Sequence, residues 1–109
     1  MRVMVMTEGD VVSARFARAP SYVVFEVTEE GASVVEEGEN PAAGAPRGAG
    51  RNAAALAASK GVDAVVAGRF GPNAVAALRA QGVRPLVAEP GTPAEEAAVR
   101  AARGELPEA

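Results

Sequence analysis

Cysteine and histidine are both absent from this sequence. Disulfides, thiolate nucleophiles, the usual zinc sites and imidazole general bases are therefore excluded within one chain. Tryptophan is missing too, and Phe16, Tyr22, Phe25 and Phe70 are the whole aromatic set. The core must be built from Val, Leu and Ala, which brings packed elements close together. Lysine occurs once, at Lys60, against ten arginines. With no polybasic run, neither duplex nucleic acid nor an anionic membrane is an expected partner. A run of about 18 apolar residues, the length that marks a membrane span, occurs nowhere. The apolar stretch Val3–Met6 is too short for a signal sequence. These absences lead us to expect a cytoplasmic protein.

What is present suits a single domain. The chain has 109 residues, 49% of them apolar, and a formal charge of −3. That length buries enough surface for an independent fold.

Punctuation by Gly and Pro makes the element order legible. Arg2–Met6 reads as a central strand, apolar on successive positions. Thr7–Pro20 reads as a polar loop with a Gly9-Asp10 turn. Ser21–Val27 and Ala32–Glu36 read as a strand hairpin. Glu37–Gly50 is a long Gly- and Pro-containing loop. Arg51–Lys60 reads as an Ala-rich helix closed by Gly61. Asp63–Ala67 is a short buried strand, Asn73–Gln81 a helix closed by Gly82, and Val83–Ala88 a strand. Thr92-Pro93-Ala94-Glu95 reads as a capping box opening a last helix that ends at Gly104. Residues after Leu106 are expected to fray. This order predicts a three-layer α/β fold: a mixed five-stranded sheet with one antiparallel strand, covered by helices.

Ligands of such sheets bind beyond the carboxyl ends of the parallel strands. Thr7–Pro20, Gly68–Asn73 and Glu89–Thr92 lie there by this reading, and the end of the Asn40–Gly50 loop is expected at the same edge; three segments within these loops are candidates. Gly44–Gly50 leads into a helix N-terminus, where backbone N–H groups and Arg47 suit an anion, with Gly48 and Gly50 permitting close approach. Turn geometry alone also accounts for its glycines. Gly68-Arg69-Phe70-Gly71-Pro72-Asn73 leaves a strand tightly and starts a helix, and Asn73 offers a carboxamide. Ser13–Pro20 sets Arg15 and Arg18 on either side of Phe16. That spacing reads as an anion clamp, or as a core Phe with solvated arginines.

In these loops the chain resembles the dinitrogenase iron–molybdenum cofactor biosynthesis family. The resemblance is carried by Ser13–Pro20, Asn40-Pro41, Gly48-Ala49-Gly50, Gly61-Val62-Asp63, Gly68 with Gly71-Pro72-Asn73-Ala74, Gly82-Val83 and Gly104-Glu105-Leu106. It spans nearly the whole chain in order. Ala17 stands where the family favours glycine. The resemblance implies a ribonuclease-H-like arrangement and a non-enzymatic role in binding or carrying an iron–sulfur or iron–molybdenum cofactor precursor. With no Cys or His, such a cluster would keep its own ligands or a partner's, and dock through arginines and backbone N–H groups. The expected site is Arg15, Phe16, Arg18, Asn40, Arg47, Gly48, Gly50, Gly68, Gly71, Pro72 and Asn73, with no catalytic residue and no metal ligand. A small protein-interaction or regulatory module that keeps the fold without the cluster is the alternative. A nuclease-like enzyme needs an acidic metal site, and Asp63 opens its strand where such chemistry needs it to close one. The chain is expected as a monomer or homodimer, with a metallocluster, another anion or a protein as its partner.

Overall fold

The computed structural model describes residues 1–109. Its strands are β1 (Arg2–Glu8), β2 (Val11–Val12), β3 (Ser21–Thr28), β4 (Gly31–Glu39), β5 (Ala64–Ala67) and β6 (Arg84–Val87). The helices are α1 (Ala49–Ser59), α2 (Pro72–Ala80) and α3 (Ala94–Ala102), with a single 3₁₀ turn at Pro41–Gly44. The sheet order is β4-β3-β1-β5-β6, and β2 pairs with the end of β1. β1, β5 and β6 run parallel, and β3 is antiparallel to both of its neighbours. β4 therefore points the same way as β1. The carboxyl ends of β1, β4, β5 and β6 share one rim.

The alternation of side chains along β1 explains the three layers. Met4 and Met6 face one side and pack with Phe16, Val65, Ala53, Ala57, Ala74 and Leu78 beneath α1 and α2. Val3 and Val5 face the other and pack with Phe25, Val66, Leu86, Ala97 and Ala101 beneath α3. All four β1 side chains are fully buried, as a central strand requires. Alanine faces on the helices let them lie close to the sheet. α1 and α2 touch each other in the same way: a Cβ built at Gly50 would lie 3.3 Å from that of Ala74.

The structure corrects the sequence reading at four places. The strands number six, because the Gly9-Asp10 turn is tight enough for Val11–Val12 to fold back on Thr7 and Glu8. β4 continues to Glu39, so the following loop is shorter than Glu37–Gly50. No capping box forms. Pro93 bridges to Val11, the Ala94 N–H donates to the Asp10 carbonyl, and the Thr92 hydroxyl turns back to the Glu89 carbonyl. Tertiary pairing with the β1–β2 turn takes over the role that the local box would have played. The tail does not fray either. The Val87 N–H donates to Pro107, the Ala109 N–H donates to Pro85, and Arg84 pairs with Glu108 at 2.9 Å, so the tail extends the β6 edge.

A charged clip closes the opposite edge. Lys60, just past the end of α1, pairs with Glu36 of β4 at 2.6 Å, and the Tyr22 hydroxyl donates to the same carboxylate at 2.8 Å. The Lys60 bond, then the Tyr22 bond, hold the Glu36 carboxyl below its ordinary range. The Glu36 bond raises Lys60, and burial raises the Tyr22 phenol.

Candidate functional site

Two helix starts meet at the shared rim. α1 opens at Gly48, which adopts a left-handed φ of 70° that costs a side-chain-bearing residue about 1–2 kcal/mol. α2 opens at Gly71 followed by Pro72. Neither start has a side-chain cap. The first-turn N–H groups of Ala49, Gly50 and Arg51, and of Asn73 and Ala74, therefore have no intramolecular acceptor. Both partial positive ends border the same cleft. The start of α3 differs in that the Asp10 carbonyl accepts its first N–H, from Ala94.

Between the two open starts lies a cleft of about 730 Å³, lined by Arg18, Gly48–Arg51 and Gly71–Ala74, with Ala76 and Ala77 deeper along α2. A second hollow of about 510 Å³ adjoins it across Ala17, Arg18, Gly71 and Pro72, and is bordered by Arg15, Phe16, Arg69 and Phe70.

Rigid contacts hold these walls. Phe16 is 1% exposed and stacks on Phe70 with ring centroids 5.0 Å apart. The Phe16 N–H donates to the Arg69 carbonyl and the Gly68 N–H donates to the Ser13 carbonyl, which brackets the two loops together. At Gly68 a Cβ would fall 2.7 Å from Pro90 Cγ and 2.8 Å from the Ala14 carbonyl oxygen, so only glycine fits. Arg18 donates to the carbonyls of Ala43 and Ala45 at 2.9 and 2.7 Å, pinning the loop before α1. The Asn40 carboxamide donates to Ala17 and Ala19 and accepts from the Ala42 N–H.

The charges of this rim are distinctive. Arg2, Lys60, Arg84 and Arg100 each have a carboxylate partner. Arg18 and Arg79 donate to backbone carbonyls. No intramolecular partner engages the guanidinium groups of Arg15, Arg47, Arg51, Arg69 and Arg103; the first four belong to the segments around the cleft, and Arg103 lies apart from it, just past α3. Their positive charge is left for solvent or a ligand.

The expected site residues divide accordingly. Arg18, Gly48, Gly50, Gly71, Pro72 and Asn73 line the cleft, and Arg15 and Phe16 line the adjoining hollow. Asn40, Gly68 and Arg47 line neither. Asn40 is 5% exposed and latches the Arg18 segment, Gly68 is a packing wedge, and Arg47 is exposed beside Gly48. Arg51 escaped the sequence reading, although a first-turn arginine after a Gly-rich loop was a signal available there. Asp63 sits at the far end of β5, where its carboxylate accepts from the Arg2 N–H.

The donor set determines what the cleft can hold. No group of three His, Cys, Asp or Glu side chains gathers anywhere in the structure. Amide N–H and guanidinium groups fit an anion that brings its own metal ligands. They do not fit a bare ion or a cluster that needs protein thiolates. No helix is long and apolar enough to cross a membrane.

Comparison with known proteins bears on the fold and the family. The apo orange protein of Desulfovibrio gigas is 32% identical, over 99% of this chain and 92% of that one, with a TM-score of 0.84. A Thermotoga protein provisionally assigned as NifB is 31% identical, over 98% of this chain and 91% of that one, with a TM-score of 0.66. A protein of Methanocaldococcus jannaschii provisionally described as a dinitrogenase shares the fold at 13% identity, over 100% of this chain and 94% of that one, with a TM-score of 0.72. No curated protein matches at a significant level. The family model of the dinitrogenase iron–molybdenum cofactor matches residues 1–104, and the chain belongs to that family.

Proposed function

We propose that this protein is a non-enzymatic carrier that holds an anionic iron–molybdenum or iron–sulfur cofactor precursor as cargo in the cleft between α1 and α2. One observation carries the reading: two helix starts without side-chain caps border one cleft, with the unpaired Arg51 on its wall. The cargo keeps its inorganic sulfur and other ligands. The first-turn N–H groups, Arg51 and the Asn73 carboxamide donate to it from outside. Family membership supports the class of cargo. The sheet order, with β3 alone reversed among the five longer strands, supports the ribonuclease-H-like arrangement of a single domain over residues 1–109. Lack of cysteine supports a reducing cytoplasmic setting.

Anaerobic titration with an iron–sulfur or iron–molybdenum cofactor precursor tests the proposal. Visible absorbance is expected to co-elute with the protein on gel filtration, and Arg51→Glu is expected to weaken retention about tenfold, as for a lost charge-assisted contact. A colourless protein peak overturns the reading. The absence of Cys and His then favours the second one, an interaction module that keeps this fold without a cluster.

A further inference from the structure

The hollow beside the cleft carries chemistry that the cargo does not use. Phe70 is half-buried at its surface, held flat against the fully buried Phe16. Arg15 and Arg69 are exposed on either side, with no carboxylate or carbonyl partner for either guanidinium, and Pro72 completes the wall. The bracket between the two loops fixes this arrangement before anything binds. An aromatic ring flanked by arginines on a rigid base is the composition of an interaction hot spot.

We infer that this hollow docks an acidic protein segment, whose carboxylates pair with Arg15 and Arg69 while an apolar residue packs on Phe70. Charge decides between occupants. The chain as a whole carries −3, so a long polyanion such as a nucleic acid is repelled by the rest of the surface. A short acidic segment meets only the patch. The free cations are arginines, whose planar fork suits bidentate carboxylates. A second copy of this chain would have to bring its β4 edge, whose Glu36 is already paired with Lys60, to the patch. Docking itself does not depend on the cleft being filled. Its use, placing a recipient protein over the mouth that shares Ala17, Arg18, Gly71 and Pro72, rests on the carrier reading.

A short fluorescein-labelled Asp/Glu-rich peptide carrying one leucine is the probe, with its Asn/Gln counterpart and a single-stranded oligothymidylate alongside. Fluorescence anisotropy should show the acidic peptide binding and the amide peptide not binding. NMR shifts should concentrate on Arg15, Arg69 and Phe70. Arg15→Glu/Arg69→Glu, two exposed positions, should weaken the peptide about tenfold. Arg51→Ala, which alters the cleft and not the hollow, should keep peptide binding within about twofold. Shifts elsewhere, undiminished peptide binding by the double variant, or preference for the oligonucleotide overturns the docking inference. Failure of precursor retention by the wild-type protein overturns the carrier reading alone.

Discussion

The two ends of α1 treat charge in opposite ways. At the far end, Lys60 is paired with Glu36 and tied to Tyr22, and nearby Glu26 accepts both the chain amino group and Arg2. At the near end, the helix start is uncapped and Arg47, Arg51, Arg15 and Arg69 have no partner. Ion pairing at the first end satisfies the fold internally. Donors at the second end remain available to a ligand. The contrast separates residues that hold the molecule together from those that act outward, without reference to residue type.

Substitutions can break or sharpen that contrast. The largest effect is expected where the cleft wall is also core. Phe16→Ala should cost about 3–5 kcal/mol in urea denaturation, because it empties a fully buried aromatic site and frees Phe70. Gly68→Ala should cost about 1–3 kcal/mol by the same measurement, since its Cβ meets Pro90 and the Ala14 backbone. Arg51→Ala should leave stability within about 0.5 kcal/mol, the usual range for an exposed site, while precursor retention falls. If Arg51→Ala unfolds the protein instead, the proposed division of labour is wrong.

The smallest effect belongs to the clip, whose ion pair is partly open to solvent and screened. Its sign is definite. The Glu36 carboxyl is lowered in the fold, so its contribution is present above the ordinary value of 4.5 and is lost as pH falls through the folded value. Lys60 is raised, so its contribution is present below its ordinary 10.5 and is lost as pH rises through the folded value. The melting temperature of Lys60→Met should therefore trail wild type at neutral pH, and the gap should narrow in acid. A gap that widens in acid contradicts the clip.

Much of the fold was legible because the punctuation is local. Gly61, Gly82 and Gly104 follow their helices in the left-handed conformation, as read. The single reversed strand among the longer five followed from the hairpin and the alternation of strand and helix. What escaped was set by distant partners. Val11–Val12 pairs as a strand only because β1 is beside it, and Pro93 leaves its helix to bridge Val11. Residues 107–109 order because β6 offers an open edge. Around the candidate cleft, sequence pointed to these loops but could not sort their residues. Asn40 and Asn73 look alike on paper, yet one is a buried latch and the other faces the cleft.

By itself, the sequence determined the chemistry on offer. Without Cys or His, no thiolate or imidazole ligand for a cluster comes from this chain, and backbone amides and guanidinium groups donate hydrogen bonds and do not ligate metal. Tertiary structure alone decided which donors are free. Whether an arginine meets a carboxylate, a carbonyl or open solvent depends on which strands and helices pack beside it, and only the parallel directions of β4 and β5 bring the starts of α1 and α2 to one rim.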